Sequence, residues 1–110
     1  MLIELKGLPK ISLNQWYSST HWTKRKDIKD KYKILVRSQT KIYFKKAKYK
    51  VSYLFYFKSR PLDATNCTAA IKIIEDILFE DDKYNLIEIG GIKSMKGKED
   101  KVIINIEKLT

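Results

Sequence analysis

The alternation of apolar and polar residues predicts a short strand near the start of the sequence. Leu2–Lys6 places an apolar residue at every second position between charged ones, which is the period of a half-buried strand. Gly7 and Pro9 end this alternation, because glycine and proline interrupt regular structure. Residues 8–20 are therefore expected to form a loop.

Helical spacing governs the next segment. Ile28, Tyr32, Leu35 and Val36 recur at intervals of three and four residues, which predicts a first helix over residues 22–40. Polar residues between positions 18 and 23 offer several N-caps. The outer positions of this helix form a basic face, made of Lys26, Lys29, Lys33 and Arg37.

Period-two alternation returns in residues 51–57, which are β-branched and aromatic and predict a strand that Arg60 and Pro61 end. A second helix follows, with Thr65 or Asn66 as its N-cap. Its apolar stripe has helical spacing and consists of Cys67, Ala70, Ile71, Ile74, Ile77 and Leu78.

The face of the second helix opposite this stripe carries Lys72 and Asp76, with Glu75 at the margin. Two further strands are predicted over residues 86–92 and 101–107, joined as a hairpin by a polar turn. Lysines in and beside that turn are placed to contact a phosphate backbone, and Lys96 and Lys98 are the chosen candidates.

These elements give the order β-α-β-α-β-β. Such an order predicts an α+β domain in which two main helices pack on a mixed β-sheet. The 110 residues are enough for one hydrophobic core and too few for two. We therefore expect residues 1–110 to form a single domain.

Composition excludes some classes of protein. Hydrophobic residues make up 44% of the chain and charged residues 33%, which is too apolar for a disordered chain and too charged for a membrane protein. Glu4 and Lys6 stand where a signal peptide would be apolar, so a cytoplasmic protein is expected, in the host cytoplasm if it is phage-encoded. The single cysteine, Cys67, excludes an intramolecular disulfide.

Charge is distributed unevenly along the sequence. Residues 21–50 hold twelve Lys and Arg against Asp27 and Asp30, which accounts for the whole net charge of +10. Residues 63–82 then hold six acids against Lys72 alone. The basic part favours binding to a nucleic acid backbone, which the acidic part would repel. The conflict disappears if the carboxylates bind divalent cations that bridge to phosphate oxygens.

This acidic constellation has the composition of a nuclease site. Phosphodiester hydrolysis requires an activated water and neutralisation of the charge that develops on phosphate, and carboxylates that hold Mg²⁺ supply both. Asp63 lies between a strand end and a helix start, and the pair Asp81 and Asp82 follows that helix. We expect these acids to meet on one side of the sheet.

Asp63, Asn66 and the pair Asp81 and Asp82 lie in the stretch RPLDATNCTAAIKIIEDILFEDDKY, and the stretch SLNQWYSSTHWTKRKDIKDKYK precedes it. The first stretch resembles the core motif of RusA-like Holliday-junction resolvases of the phage type, and the second is similar to the N-terminal part of such proteins. The resemblance spans nearly the whole chain. It implies a homodimeric, Mg²⁺-dependent endodeoxyribonuclease, with Mn²⁺ as an alternative metal, that resolves four-way DNA junctions by paired nicks.

Carried over residue by residue, the resemblance makes Asp63 and Asp82 metal ligands and catalytic residues, with Asp81 as a further ligand. Asn66 matches the supporting asparagine of the family. Lys72 and Asp76 are assigned to catalysis, and Lys72 would stabilise charge on the phosphate.

The chain departs from the family pattern at Thr65, where another aspartate is usual. That ligand would be replaced by Asp76, Asp81 or Glu80, or the metal would be bound by more water molecules. The catalytic lysine of the family also lies closer to the asparagine than Lys72 does. These departures keep a second hypothesis open, a nonenzymatic nucleic-acid-binding protein whose acids are structural.

DNA contacts are expected from Lys24 and Arg25 together with the basic face of the first helix and the two turn lysines. The expected partners are branched DNA and a second copy of the chain, with neither a membrane nor a small-molecule substrate. Trp16, Tyr17 and Trp22 have two interpretations, core packing, which we favour, or stacking on unpaired bases. His21, the only histidine, is interpreted as a hydrogen-bonding or phosphate-contacting residue rather than a general base.

Overall fold

Four strands form one mixed sheet in the computed structural model of the protein, which describes residues 1–18, 22–80 and 87–109. They are β1 (Leu2–Lys6), β2 (Tyr49–Phe57), β3 (Ile87–Lys96) and β4 (Lys101–Lys108). Their order in the sheet is β1-β4-β2-β3. β2 runs parallel to β3 and antiparallel to β4, and β4 is antiparallel to β1.

Helices cover one face of this sheet. They are α1 (Leu13–Ser18), α2 (Trp22–Gln39) and α3 (Thr68–Leu78), and a 3₁₀ turn over Ala64–Cys67 leads into α3. Every second residue of β2 is buried, as expected for a strand that is covered on one side. The α+β class, the mixed sheet and the single domain that the sequence predicts are confirmed. A lipid bilayer could not be crossed by any helix in the described ranges, since none combines the required length with sufficient apolar content.

The hydrophobic core lies between α2, α3 and the inner face of the sheet. The predicted stripe of α3 provides much of it, and no charged side chain is buried among the described residues. Burial of a large apolar side chain contributes roughly 1.5–3 kcal/mol to the free energy of unfolding. The largest fully buried residues include Leu5, Tyr32, Val36, Val51, Ile71, Ile74, Leu78, Val102 and Ile104.

The predicted hairpin between the last two strands is wrong. β3 and β4 are antiparallel to each other, but β2 lies between them. The four residues from Gly97 to Asp100 carry the chain across the end of β2, and the Gly97 amide donates a hydrogen bond to the Phe57 carbonyl at 2.9 Å. The polar turn expected from the sequence is therefore a crossover connection.

Asp100 fixes the far end of this crossover. Its carbonyl accepts a hydrogen bond from the Gly7 amide at 3.0 Å, and its carboxylate accepts one from the Lys58 amide at 2.8 Å. The ends of β1 and β2 are thereby joined to the start of β4.

β3 is longer than the strand predicted from its sequence. Val51 pairs with Ile89 and Ser52 with Gly91, so Gly90 is an extra residue in a β-bulge. A bulge shifts the side-chain alternation by one position. The apolar pattern after Gly90 is therefore out of phase with the pattern before it. For this reason the alternation in the sequence did not predict the second half of the strand.

Residues 8–20, predicted to be a loop, contain α1. Its start is a capping box, because the Ser12 hydroxyl accepts from the Gln15 amide at 3.1 Å and the Gln15 side chain accepts from the Ser12 amide at 3.0 Å. The sequence S-x-x-Q at positions 12–15 was the available signal for this helix.

The predicted N-cap of the second helix is also wrong. Neither Thr65 nor Asn66 caps α3, because both lie inside the preceding 3₁₀ turn, and Cys67 occupies the N-cap without a side-chain hydrogen bond. The turn itself satisfies backbone groups there, since the Asn66 amide donates to the Asp63 carbonyl at 2.9 Å.

The crossover predicts an effect of one substitution. A Cβ atom on Gly97 would lie 3.0 Å from both Cβ and Cδ1 of Tyr56. We expect Gly97→Ala to lower the free energy of unfolding by about 1–2 kcal/mol through this overpacking, measured by urea denaturation.

Gly91→Ala is the matched control. A Cβ atom there meets nothing within 4 Å, and alanine is the better residue within a strand. Gly91→Ala should leave the free energy of unfolding unchanged or raise it. Equal losses in the two variants would contradict the role of close packing at Gly97.

Candidate nucleic-acid interface

A cleft between α1, α2 and α3 brings together residues that were predicted to bind DNA, residues that were predicted to act in catalysis, and aromatic residues. Its volume is about 180 Å³. Cations of the basic helix meet both residues of α3 that were assigned to catalysis, and the aromatic residues of α1 complete the wall. The cleft is lined by Trp16, Tyr17, Arg25, Lys29, Lys72, Ile73 and Asp76.

Trp16 lies beneath the cations of this cleft. Its side chain is only 8% exposed, which agrees with the core-packing interpretation. The Arg25 guanidinium lies over the indole ring at 5.5 Å from the centroid, and the Lys29 ammonium lies over it at 5.7 Å. Cation–π contacts of this kind contribute about 0.5–1 kcal/mol at exposed positions and orient both cations on the tryptophan.

Arg25 has a second contact that limits its movement. One terminal nitrogen donates to the carbonyl of Tyr17 at 3.5 Å. Its Nε atom is buried and has no hydrogen-bond partner among the described residues. A buried donor without an acceptor is uncommon in a folded protein and requires an explanation.

Lys72 and Asp76 are both exposed, and Glu75 is half-buried. The orientation predicted from the helical wheel is therefore confirmed, because burial of Ile71, Ile73 and Ile74 turns the opposite face of α3 outward. Both side chains line the cleft.

Asp63 is not among the residues that line the cleft; it lies between β2 and α3, at the N-cap of the 3₁₀ turn. Its side chain is exposed and makes no capping hydrogen bond. Lys96 ends β3 opposite Phe57, and β3 contacts this turn. A predicted DNA-binding lysine thus lies at the same end of the sheet as Asp63.

The other residues of the motif have local roles. Thr65 is exposed, and its carbonyl accepts a hydrogen bond from the Thr68 hydroxyl at 2.7 Å. Asn66 is half-buried. Glu80, considered as a replacement ligand, accepts a hydrogen bond from the Lys46 amide at 2.8 Å.

The metal site cannot be assembled from the described residues alone. Asp81 and Asp82 lie outside them, as does His21. Within the ranges that are described, no three Asp, Glu, His or Cys side chains converge in a way that fits a metal ion. Asp63 and the cleft acid Asp76 therefore do not make a complete centre, and the predicted metal ligands stay a prediction.

The remaining predicted DNA contacts divide into two groups. Lys24, Lys26 and Lys33 on α2 and Lys98 in the crossover are exposed, as a backbone contact requires. Arg37 is half-buried, and its guanidinium donates to the carbonyls of Ile42, at 2.7 Å, and Ile77. It joins α2 to the end of α3, and we leave it out of the proposed contacts. The side chain of Trp22 lies outside the described set.

A polar cluster that the sequence did not reveal lies between α3 and the sheet. Burial raises the pKa of the Glu75 carboxyl, and nearby Asp76 raises it further, whereas the Tyr53 hydroxyl opposes the shift. That hydroxyl is buried near Glu75 but outside regular hydrogen-bond geometry. Burial likewise raises the pKa of the Cys67 thiol, which keeps the thiol protonated and unreactive.

Comparison with known proteins adds no family assignment. No protein-family model matches the sequence, and a search of curated proteins returned no match. The function therefore has to be argued from the residues and the geometry.

The position of Arg37 predicts a loss of stability on substitution. Arg37→Met would leave the carbonyls of Ile42 and Ile77 without their donors, so we expect the free energy of unfolding to fall by about 2 kcal/mol. Lys33→Met, one turn earlier on α2 and exposed, should change it by less than about 0.5 kcal/mol. Urea denaturation measures both, and an Arg37→Met variant as stable as Lys33→Met would contradict this role.

Glu75 predicts a pH-dependent effect. Its pKa is raised on folding, so the folded protein binds more protons than the unfolded chain between the two pKa values. The free energy of unfolding therefore decreases as pH rises through that window. Glu75→Gln has no carboxyl to ionise, so its free energy of unfolding does not decrease in this window. The substitution should therefore stabilise the protein more at pH 7 than at pH 4.

Thermal or urea unfolding at the two pH values measures the difference. Glu88→Gln, an exposed substitution on β3, is the control and should show no such pH dependence. A stabilisation by Glu75→Gln that is the same at both pH values would contradict the burial of a titrating carboxyl.

Proposed function

We propose that the protein is a structure-selective, metal-dependent endonuclease that cleaves four-way DNA junctions. The cleft between α1, α2 and α3 is the observation that carries this proposal. It joins Arg25 and Lys29, selected as DNA-binding residues, with Lys72 and Asp76, selected as catalytic residues. A phosphate bound by the cations would therefore lie beside the functional face of α3.

Charge supports the same assignment. Lysines and arginines that neutralise phosphates release counterions, which drives binding without regard to sequence. The exposed lysines of α2 extend the positive surface beyond the cleft. A protein that binds backbone through such a surface recognises the shape of its substrate more than its base sequence.

Asp63 and Asp82 are the proposed metal ligands, with Asp81 as a further one. A bound Mg²⁺ or Mn²⁺ would polarise a phosphoryl oxygen and activate a water. The exposed, uncapped carboxylate of Asp63 supports its inclusion. Asn66 would support the site, and Thr65 stands where the resembled family has another acid.

Cleavage of a junction on two strands requires two sites, so we propose a homodimer, in which a two-fold axis would relate one site to the other. The activity would take place in the cytoplasm, of a host cell if the protein is phage-encoded.

A second function is a nucleic-acid-binding protein without cleavage. Thr65 favours it, because the side chain at this position cannot supply the carboxylate that the resembled family has there. The cationic cleft would serve binding in either case.

A cleavage assay separates the two functions. Labelled four-way junction, duplex and single strand would be incubated with the protein in the presence and absence of Mg²⁺. We expect cleavage of the junction only with metal, and a loss on the order of 100-fold or more for Asp63→Asn and for Asp82→Asn. Asp30→Asn, on the exposed surface of α2, is the control and should remain active.

Tight binding to the junction without cleavage in Mg²⁺ or Mn²⁺ would favour the binding protein. Cleavage that survives both site substitutions would remove the proposed ligands. Sedimentation of the complex with junction DNA tests the dimer, which a one-to-one complex would overturn.

A further inference from the structure

We propose that the cleft between α1, α2 and α3 binds one unpaired nucleotide, whose phosphate is held by Arg25 and whose base stacks on Tyr17. This inference deepens the proposed function and rests on it in taking nucleic acid as the ligand. It adds a preference for unpaired DNA and the residues that confer it.

Arg25 has the properties of a preformed phosphate-binding group. Its guanidinium lies over Trp16, and one terminal nitrogen donates to the Tyr17 carbonyl at 3.5 Å. Both contacts favour one orientation of the group before a ligand arrives. A guanidinium presents neighbouring N–H groups in a planar fork that matches two phosphate oxygens.

The charges around Arg25 favour an anion. Lys29 and Lys72 also line the cleft, and Asp76 is its one acidic residue among those described. Three cations against one carboxylate leave a net charge of +2. The cleft volume of about 180 Å³ exceeds the roughly 30 Å³ that one water molecule occupies in the liquid and is large enough for a phosphate group.

Tyr17 is the aromatic residue available for stacking. Its side chain is 64% exposed and lines the cleft beside Arg25. Trp16 is buried and already covered by two cations, so its function is to orient them. The two aromatic residues therefore have different roles, although they are adjacent in the sequence.

The preference for an unpaired nucleotide follows from the geometry of stacking. In a duplex both faces of each internal base are covered by neighbouring bases. An aromatic side chain stacks readily only on a base whose face is free, as in single strands, loops and ends. Tyr17 would thus favour a nucleotide that is unpaired at a branch point over one within a duplex arm.

Equilibrium binding tests this assignment. The probes are a fluorescently labelled oligo(dT) of about ten nucleotides, which is long enough to cover a single-strand site, and a labelled duplex hairpin with an equal number of phosphates. Metal is omitted so that neither probe is cleaved.

We expect Tyr17→Ala to weaken binding of the single strand about tenfold or more, since base stacking on an aromatic residue is lost. Binding of the duplex should be unchanged. Tyr17→Phe keeps the ring and should bind the single strand as the unsubstituted protein does. Tyr43→Ala removes another tyrosine, 46% exposed and close to Arg37 and Lys45, and should leave the ratio of the two affinities unchanged.

Arg25→Lys tests the phosphate-binding group. Lysine keeps the charge but lacks the planar fork, so we expect the single strand to bind several-fold more weakly. Circular dichroism and thermal unfolding would establish that the variant is folded. Unchanged affinity of folded Arg25→Lys would overturn the assigned role of the guanidinium.

The outcomes distinguish this inference from the proposed function. If Tyr17→Ala leaves single-strand binding intact, or weakens both probes equally, the inference is overturned whether or not junctions are cleaved. If single-strand binding depends on Tyr17 but no junction is cleaved, the inference stands and the nuclease assignment fails. If neither probe binds, both are overturned.

Discussion

Burial of one face of α3 against the sheet is the constraint on which the cleft between α1, α2 and α3 depends. Ile71, Ile74 and Leu78 are almost fully buried, and rotating the helix would expose all three to water. Because the period of the helix is 3.6 residues, fixing this face also fixes the direction of Lys72 and Asp76. The hydrophobic core thus orients polar side chains that it does not contain.

The second determinant of the cleft is the short helix α1. It is anchored by a reciprocal capping box and positions Trp16 against the rest of the helical layer, where the indole ring lies under Arg25 and Lys29. Two cations close together would repel each other, and the negative face of the ring partly offsets that repulsion. The basic helix and the exposed face of α3 that carries Lys72 and Asp76 therefore meet around the indole ring of Trp16.

Much of the fold was predictable from the sequence because its helices and strands have clear periodicity. α2 and α3 follow apolar repeats, and the exposed positions of Lys72 and Asp76 on α3 were identified correctly. The outer face predicted for α2 wrongly included Arg37, which is half-buried. The strand order was not predictable, since nothing in the local pattern indicates that the chain between Lys96 and Lys101 crosses β2. The cleft was missed for a different reason. Its formation depends on contacts between α1 and distant elements, whereas the pattern around Trp16 was interpreted as a loop.

The position of β4 has a consequence for how the protein is made. This strand is the last of the four along the chain, yet it lies inside the sheet between β1 and β2. β1 pairs with β4, almost the full length of the sequence away, and pairing across so many residues carries a large entropic cost and slows folding. While the chain emerges from the ribosome, β1 and β2 must wait with unsatisfied edges until β4 has been synthesised. During that interval the edge of β2 that pairs with β4 has no partner strand, which makes the nascent chain vulnerable to aggregation.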